Sequence, residues 1–157
     1  MPRKQPRYNV PRPAVTKSPT FIETVETLKR PTKASDPDAY LQQRPSWRLS
    51  QAQTQDPFGW HHLTGTKALE IRDKLQGFES RKWSEILVAA KKQNHTIPVG
   101  ELCREVQRRL RELNIFEDEL VSLRLNGRQR IFGYLDGAVF HIMFWDPEHQ
   151  ICPSMKR

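Results

Sequence analysis

The chain has 157 residues, which fits one ordinary domain, or a smaller domain with a tail, and excludes a multidomain machine. Lysine and arginine number 26 against 18 aspartate and glutamate, so the formal charge is +8 and the isoelectric point about 9.8. This balance favours an anionic partner, whether nucleic acid, an acidic protein or a membrane surface. Because only 36% of the residues are hydrophobic, a core can form, but not from the whole length.

Cysteines and targeting signals indicate the compartment. The two cysteines, Cys103 and Cys152, form neither a CxxC pair nor a disulfide framework. The first ten residues are basic and contain prolines without an apolar stretch, and no window approaches 18 apolar residues. We therefore expect a cytoplasmic protein that is neither secreted nor inserted in a membrane.

The N-terminal part is rich in proline. Nine of the 12 prolines fall in the first 57 residues, where each removes a backbone donor and disfavours helix at the preceding residue. Residues 1–45 are therefore expected to form a mostly disordered basic arm ahead of a single domain at 46–157. Within the arm, Ile22, Val25 and Leu28 recur every three residues, which favours a short helix over 20–30 that docks on a partner.

The first half of the domain has the pattern of helices. The alternation in Trp47-Arg48-Leu49 favours a short strand. Apolar residues at a spacing of three and four then predict three helices, over residues 66–76, 80–92 and 98–113. Gly77 stands where the first helix should end, and Pro98 stands where the third should begin.

From Leu120 the apolar period changes to two, which predicts three consecutive antiparallel strands. Asn126-Gly127-Arg128 suits a three-residue loop with glycine in the left-handed conformation, and Asp136-Gly137 is a two-residue hairpin signal. The expected fold class is α+β, with three helices packed on one face of a small antiparallel sheet that ends in a three-stranded meander.

The loop lengths also predict the register of the strands. The first loop sets Leu123 against Ile131, and the second sets Phe132 against His141. One face then holds the residues that the helices should cover: Val121, Leu123, Leu125, Ile131, Leu135, Phe140, Ile142 and Phe144. The opposite face holds Ser122, Arg124, Arg130, Phe132, Tyr134, His141, Met143 and Trp145.

Arg124 and Arg130 become cross-strand neighbours in this register, and a like-charge pair is destabilising unless an anion lies between the two residues. That anion is either an internal carboxylate, such as that of Glu148, or a nucleic-acid phosphate. Aromatic rings interleaved with arginines on an open sheet are typical of single-stranded RNA recognition. The alternative is that another part of the chain covers these rings.

Histidines supply the candidates for proton transfer. His141, between Phe132 and Trp145 on the predicted face, suits general acid–base chemistry, although such a histidine is also commonly packed. His149 follows Asp146-Pro147 at the end of the last strand. The remaining histidine-containing runs are His61-His62 and Lys91-Lys92-Gln93-Asn94-His95. Without HxxxH or CxxC spacing we expect no metal site, and without a glycine-rich phosphate loop we expect no nucleotide cofactor.

Two resemblances bear on the fold. Residues 123–133 and the ending Phe144-Trp145-Asp146-Pro147-Glu148-His149 resemble the C-terminal part of a family of small, mostly uncharacterised bacterial and phage proteins, over about residues 46–154. Trp83, Ile86 and Asn94-His95 resemble the middle of that family. The order of a short strand, helices and a meander is similar to the RelE/ParE-like toxin superfamily, although the extra helix and the arm depart from compact toxins.

The resemblance to these toxins implies a metal-independent ribonuclease that acts on messenger RNA at the ribosome. It implies that arginines stabilise the charge of the phosphorane and that tyrosine or histidine transfers protons. The candidate catalytic residues are Arg124, Arg130, Tyr134, His141 and His149. The candidate nucleic-acid-binding residues are Lys91, Lys92, Arg124, Arg128, Arg130 and Phe132.

The sequence therefore predicts an RNA-binding protein and leaves open whether it cleaves RNA as the toxin of a toxin–antitoxin pair. The alternative is a non-enzymatic interaction or adaptor module, which would bind another polypeptide through the aromatic sheet face and the arm. An antitoxin-like protein would be a partner on the sheet face or the arm. Both interpretations expect a partner that is RNA, the ribosome or another protein, and neither requires a membrane.

Overall fold

The structure, a computed structural model, describes residues 36–153. Its centre is a five-stranded mixed sheet with the order β1-β5-β4-β3-β2, in which β1 runs parallel to β5 and the other neighbours are antiparallel. The strands are β1 Ser46–Arg48, β2 His95–Pro98, β3 Glu119–Arg124, β4 Arg130–Asp136 and β5 Val139–Asp146. The α+β class is confirmed, and the sheet is mostly antiparallel.

Three helical segments accompany the sheet. They are α1 Gly65–Glu79, a π-helical segment Ser84–Ala89 and α2 Arg104–Glu112. Helix α1 continues past Gly77, where we expected it to end, because a helical glycine is tolerated when tertiary packing holds the segment. Residues of α1 on both sides of Gly77 pack in the core, because Ile71 before it and Phe78 after it are both buried.

The third predicted helix is wrong over its first half. His95–Pro98 pairs with β3 as an edge strand, and α-helix begins only at Arg104. Leu102 is extended, and the backbone N–H of Cys103 donates to the carbonyl of Ile151 at 2.8 Å. A proline at the end of an edge strand and a proline at the start of a helix give the same sequence signal, and here strand pairing decides between them.

The first hairpin of the meander has the predicted register. Leu123 lies opposite Ile131, Arg124 lies opposite Arg130, and Gly127 in the loop has a φ of 53°. The loop closes through a hydrogen bond from the backbone N–H of Leu125 to the carbonyl of Gln129. The agreement of loop length with apolar alternation explains why this register could be predicted.

The second hairpin differs from the prediction. Its turn residues are Gly137 and Ala138, with a φ of 58° at Gly137, so His141 pairs with Tyr134 rather than with Phe132. A bulge then follows in β5, because Gly133 pairs with Ile142 whereas Phe132 pairs with Phe144. One extra residue in one strand reverses the faces of everything beyond it.

The bulge has a visible cause in the loop that precedes α1. The carbonyl of Met143 accepts hydrogen bonds from the backbone N–H of Gln53 at 2.8 Å and from the indole N–H of Trp60 at 3.1 Å. Gly133 supplies the space, since a Cβ there would collide with the carbonyl of His141. The bulge therefore exchanges the faces of two residues. Trp145 lies on the sheet face that was predicted to hold Phe144, and Phe144 lies on the opposite face.

Both faces of the sheet are covered, so the expectation that all helices pack on one face is not confirmed. A first core joins α1 and the π-helical segment to one face: Ile71, Phe78, Trp83, Ile86, Val121, Leu123, Leu125, Ile131, Phe140, Ile142 and Trp145. A second core joins α2 to the other: Ile97, Leu102, Val106, Leu110, Leu120, Phe132, Met143, Phe144 and Ile151. The apolar stripe of α2 packs there because alternation places Leu120 and Phe132 opposite the first core.

The folded part begins upstream of the boundary predicted at Ser46. Tyr40 and Leu41 pack against the first core, and the backbone N–H of Trp83 donates to the carbonyl of Gln43 at 3.0 Å. The helix predicted over 20–30 lies outside the described residues. Between residues 36 and 153, no helix combines the length and the apolar character needed to cross a bilayer.

Candidate nucleic-acid interface

Two arginines face each other at one end of the sheet. Arg124 is the last residue of β3 and Arg130 the first of β4, and both side chains are half-buried. The guanidinium of Arg130 donates to the carbonyls of Gly127 at 3.1 Å and Gln129 at 3.0 Å, which fixes it against the hairpin loop. Local hydrogen bonds thus hold one of the two cations in place.

Buried Asn94 ties the neighbouring chain to this end of the sheet. Its side-chain oxygen accepts the backbone N–H of Arg124 at 2.8 Å, and its amide nitrogen donates to the carbonyl of Ile86 at 3.2 Å. The turn that carries Lys91 and Lys92, both exposed, is therefore anchored beside Arg124. These lysines lie at the same end of the sheet as the two arginines.

The charge of the arginine pair is poorly compensated. Burial, followed by the charge of Arg124, lowers the pKa of Arg130, while the charge of Asp146 acts in the opposite direction. Between residues 36 and 153, no carboxylate oxygen lies within 4.0 Å of either guanidinium. Glu148, the internal carboxylate considered from the sequence, instead approaches exposed Arg128 at 3.9 Å. Among the described residues, the two guanidinium groups therefore have no direct carboxylate contact, and Asp146 is the acidic residue opposite Arg130.

The Trp-Asp-Pro-Glu-His ending forms a turn organised by Asp146. This residue pairs with Arg130 across the strands and is fully buried. Its carboxylate accepts the backbone N–H of Gln150 at 2.9 Å and that of Ile151 at 2.8 Å. Within the turn, His149 adopts a left-handed φ of 59°. The turn thereby folds the chain back and places His149 beside the arginine pair.

The surroundings of His149 disfavour the charged form of its imidazole. Burial, then the charge of Arg130, lowers its pKa, and the charges of His95 and Arg124 add to this effect against that of Asp146. A neutral imidazole next to two cations can accept a proton, as a general base must. The lowered pKa also records that these side chains lie within electrostatic reach of one another.

His95 completes the group, and sequence reasoning did not select it. It lies in β2 opposite Ser122, which places its exposed side chain on the same face as Arg124. The sequence carried no clear signal for it, because β2 is short, only Ile97 in it is buried, and its pairing partner β3 lies far away along the chain. We call Arg124, Arg130, His95 and His149 the arginine–histidine cluster.

Tyr134 and His141 are not part of this cluster. Their rings stack on each other, with centroids 4.5 Å apart and an interplanar angle of 10°. Tyr134 is four residues from Arg130 along β4, which corresponds to about 13 Å. Burial, then the charges of Glu117 and Asp136, raises the pKa of Tyr134, with the charge of Arg48 opposing. The five candidate catalytic residues therefore fall into two separate groups.

His141 itself is 7% exposed, and neither ring nitrogen has a hydrogen-bond partner in the described part of the chain. Phe132 has no exposed surface, because the second core covers it. A base can stack on Phe132 only if α2 moves away. Arg128, in contrast, is exposed in the hairpin loop next to the cluster.

Comparison of the chain with known protein families, with curated proteins and with solved structures finds no significant match. The functional interpretation therefore rests on the geometry of the described residues.

Proposed function

We propose that the protein binds RNA at the arginine–histidine cluster and cleaves its phosphodiester backbone without a metal ion. The observation that carries this proposal is the cross-strand pair of Arg124 and Arg130, whose guanidinium groups have no carboxylate oxygen within 4.0 Å among residues 36–153. Two guanidinium groups suit the non-bridging oxygens of one phosphate, which they bind through paired hydrogen bonds. Lys91, Lys92 and Arg128 extend the positive surface along a nucleic-acid strand.

The chemistry is an attack by the ribose 2′-hydroxyl on the adjacent phosphorus. His149 accepts the hydroxyl proton, a bond forms between the 2′-oxygen and phosphorus, and the bond from phosphorus to the 5′-oxygen breaks. His95 donates a proton to that leaving oxygen. The arginines stabilise the negative charge that develops on the phosphorane oxygens. The products are a 2′,3′-cyclic phosphate and a free 5′-hydroxyl.

A protein-interaction module receives less support from the geometry. That alternative relied on an open aromatic face, but Phe132 lies in the second core and Trp145 in the first. It also relied on the arm, whose stripe of Ile22, Val25 and Leu28 lies outside the described residues. RNA is the partner that fits the exposed and half-buried cations of the cluster.

The test is incubation of the full chain with labelled single-stranded RNA in EDTA. We expect cleavage that leaves a 2′,3′-cyclic phosphate, and none on the same sequence made as DNA, which lacks the nucleophile. Arg130→Gln should slow cleavage by about 10²–10³-fold, and His149→Gln by about 10²–10⁴-fold. Binding without cleavage would reduce the proposal to an RNA-binding protein.

The matched control is the double variant Arg72→Gln/Arg111→Gln. Arg72 lies on α1 and Arg111 in the last turn of α2, and neither contributes to the pKa shifts of Arg130 or His149. The control should cleave RNA at the rate of the unchanged protein. Equal rates for Arg130→Gln and the control would contradict the proposed site.

We further propose that the activity is that of a toxin, as the resemblance to RelE/ParE-like proteins implies. Induced expression in bacteria should then arrest growth. Arg130→Gln should restore growth at equal protein levels, whereas Arg72→Gln/Arg111→Gln should not. Arrest that persists in Arg130→Gln would separate toxicity from the cluster.

A further inference from the structure

A second group of chemically active side chains lies in the loop before α1. Nε2 of His62 is 2.6 Å from Oδ1 of Asp56, and Nε2 of His61 is 3.6 Å from the same oxygen. The ligand atoms of the three residues all lie within 4.8 Å of one another. In a tetrahedral zinc site with bonds of about 2.0–2.1 Å, neighbouring ligand atoms are about 3.3 Å apart. The separations of 2.6 Å and 3.6 Å lie on either side of that value.

The backbone that carries these residues is fixed to β5. The backbone N–H of Trp145 donates to the carbonyl of Phe58 at 3.0 Å, and the indole N–H of Trp60 donates to the carbonyl of Met143 at 3.1 Å. Arg109 on α2 donates to the backbone carbonyl of Asp56 at 3.4 Å. The loop is thus held at Asp56, Phe58 and Trp60, which fixes the backbone that leads into the histidine pair.

Gly59 allows the orientation of His61. A Cβ at this position would collide with Nδ1 of His61 and lie 2.6 Å from the carbonyl of Gln55. The His61 ring therefore packs against backbone through its Nδ1 side, which leaves Nε2 directed towards Asp56.

We propose that Asp56, His61 and His62 bind a divalent transition-metal ion of the zinc class. Two imidazole nitrogens and one carboxylate oxygen form a donor set that zinc accepts in proteins, and calcium and magnesium prefer oxygen alone. The spacing of these residues did not indicate a metal site, because a short turn rather than a regular helix brings the three ligands together.

The proposed site adjoins an apolar cleft. Asp56 and His62 line a cleft of about 480 Å³ together with Phe58, Trp145 and Pro147. Three protein ligands leave at least one coordination position for water or another small ligand. This site is separate from the arginine–histidine cluster, and the proposal does not depend on RNA cleavage.

The experiment uses the full chain without a histidine tag, stripped with EDTA, dialysed and titrated with Co²⁺ and Zn²⁺. We expect one equivalent of Co²⁺ per chain, with visible absorption bands of a low-coordinate site, and displacement of Co²⁺ by Zn²⁺. Zinc should also raise the thermal midpoint. His61→Gln or His62→Gln should weaken binding at least tenfold, and the double variant His61→Gln/His62→Gln should abolish it.

The control is His95→Gln/His149→Gln, which removes the same number of imidazoles from the arginine–histidine cluster. It should bind one equivalent as the unchanged protein does. Circular dichroism of each variant checks that the fold is retained. Absence of stoichiometric binding at 100 µM metal, or equal binding by the two double variants, would overturn the proposal.

Discussion

At the scale of single residues, the position of His149 depends on buried Asp146. The carboxylate accepts two backbone N–H groups of the turn that carries His149. Asp146→Asn replaces one acceptor oxygen by an amide donor, so the side chain can keep only one of the two hydrogen bonds. We expect the free energy of unfolding to fall by about 2 kcal/mol, measured by urea denaturation. The control is Asp118→Asn, at an exposed position. Equal free energies of unfolding for the two variants would contradict the role of Asp146 in holding the turn.

Gly133 permits the close approach of β5 at the bulge. An added Cβ would collide with the carbonyl of His141 and lie 2.9 Å from the Phe140 ring. Gly133→Ala should therefore lower the free energy of unfolding by about 1–3 kcal/mol. Gly77→Ala, in α1 with open space around it, should raise the same quantity by about 1 kcal/mol. Thermal denaturation that moves both variants in the same direction would refute this explanation of the bulge.

The lowered pKa of His149 predicts a pH dependence of stability. Below its usual pKa of about 6.5 the unfolded chain binds more protons at this residue than the folded chain does. Above a pH of about 6.5 the contribution of His149 to the free energy of unfolding is therefore constant. As the pH falls through about 6.5, this contribution lowers the free energy of unfolding. His149→Gln should lose less unfolding free energy than the unchanged protein between pH 7.5 and 5. Identical pH profiles would show that His149 is not held neutral.

At the scale of elements, α2 stabilises the second face of the sheet. Leu110 is 2% exposed and belongs to the second core. Leu110→Ala should lower the free energy of unfolding by about 2–5 kcal/mol, because it removes buried methyl groups and leaves a cavity. Arg111, the exposed residue next to Leu110, gives a control. Arg111→Ala should change the free energy of unfolding by less than about 0.5 kcal/mol. A small effect of Leu110→Ala in urea denaturation would mean that α2 packs only loosely.

The elements show how far the sequence determined the fold. The register of the first hairpin could be predicted because loop length and apolar alternation around Leu123 and Ile131 agree. The faces on which the side chains of β5 lie beyond Ile142 could not be predicted. They depend on the bulge, and the bulge depends on hydrogen bonds to Met143 from residues of a distant loop. The edge strand ending in Pro98 was missed for a related reason, since its pairing partner is far away in sequence.

The candidate site was predictable to a similar extent. The cross-strand pairing of Arg124 and Arg130 was predicted from the loop length and the apolar alternation of the two strands, and it is confirmed. The contribution of His95 requires β2, which the sequence did not indicate. The separation of Tyr134 and His141 from the arginines follows from the register of the second hairpin, which pairs those two residues with each other.

At the scale of the whole molecule, the formal charge of +8 is divided between the first 45 residues and the domain. Residues 1–45 carry nine lysines and arginines against four acidic residues, which adds sequence-independent attraction for any polyanion. Total affinity for RNA therefore cannot identify the site. A comparison of full-length variants that differ by the same charge at different positions can do so.

The most direct measurement is the salt dependence of binding to single-stranded RNA that carries 2′-O-methyl groups and resists cleavage. If Arg124 and Arg130 contact phosphates, Arg124→Gln/Arg130→Gln should reduce the slope of log affinity against log salt by about 1.4, or roughly 0.7 for each contact. Arg72→Gln/Arg111→Gln should change it by less than half as much. Equal slopes for the two double variants would contradict an RNA site at the arginine pair.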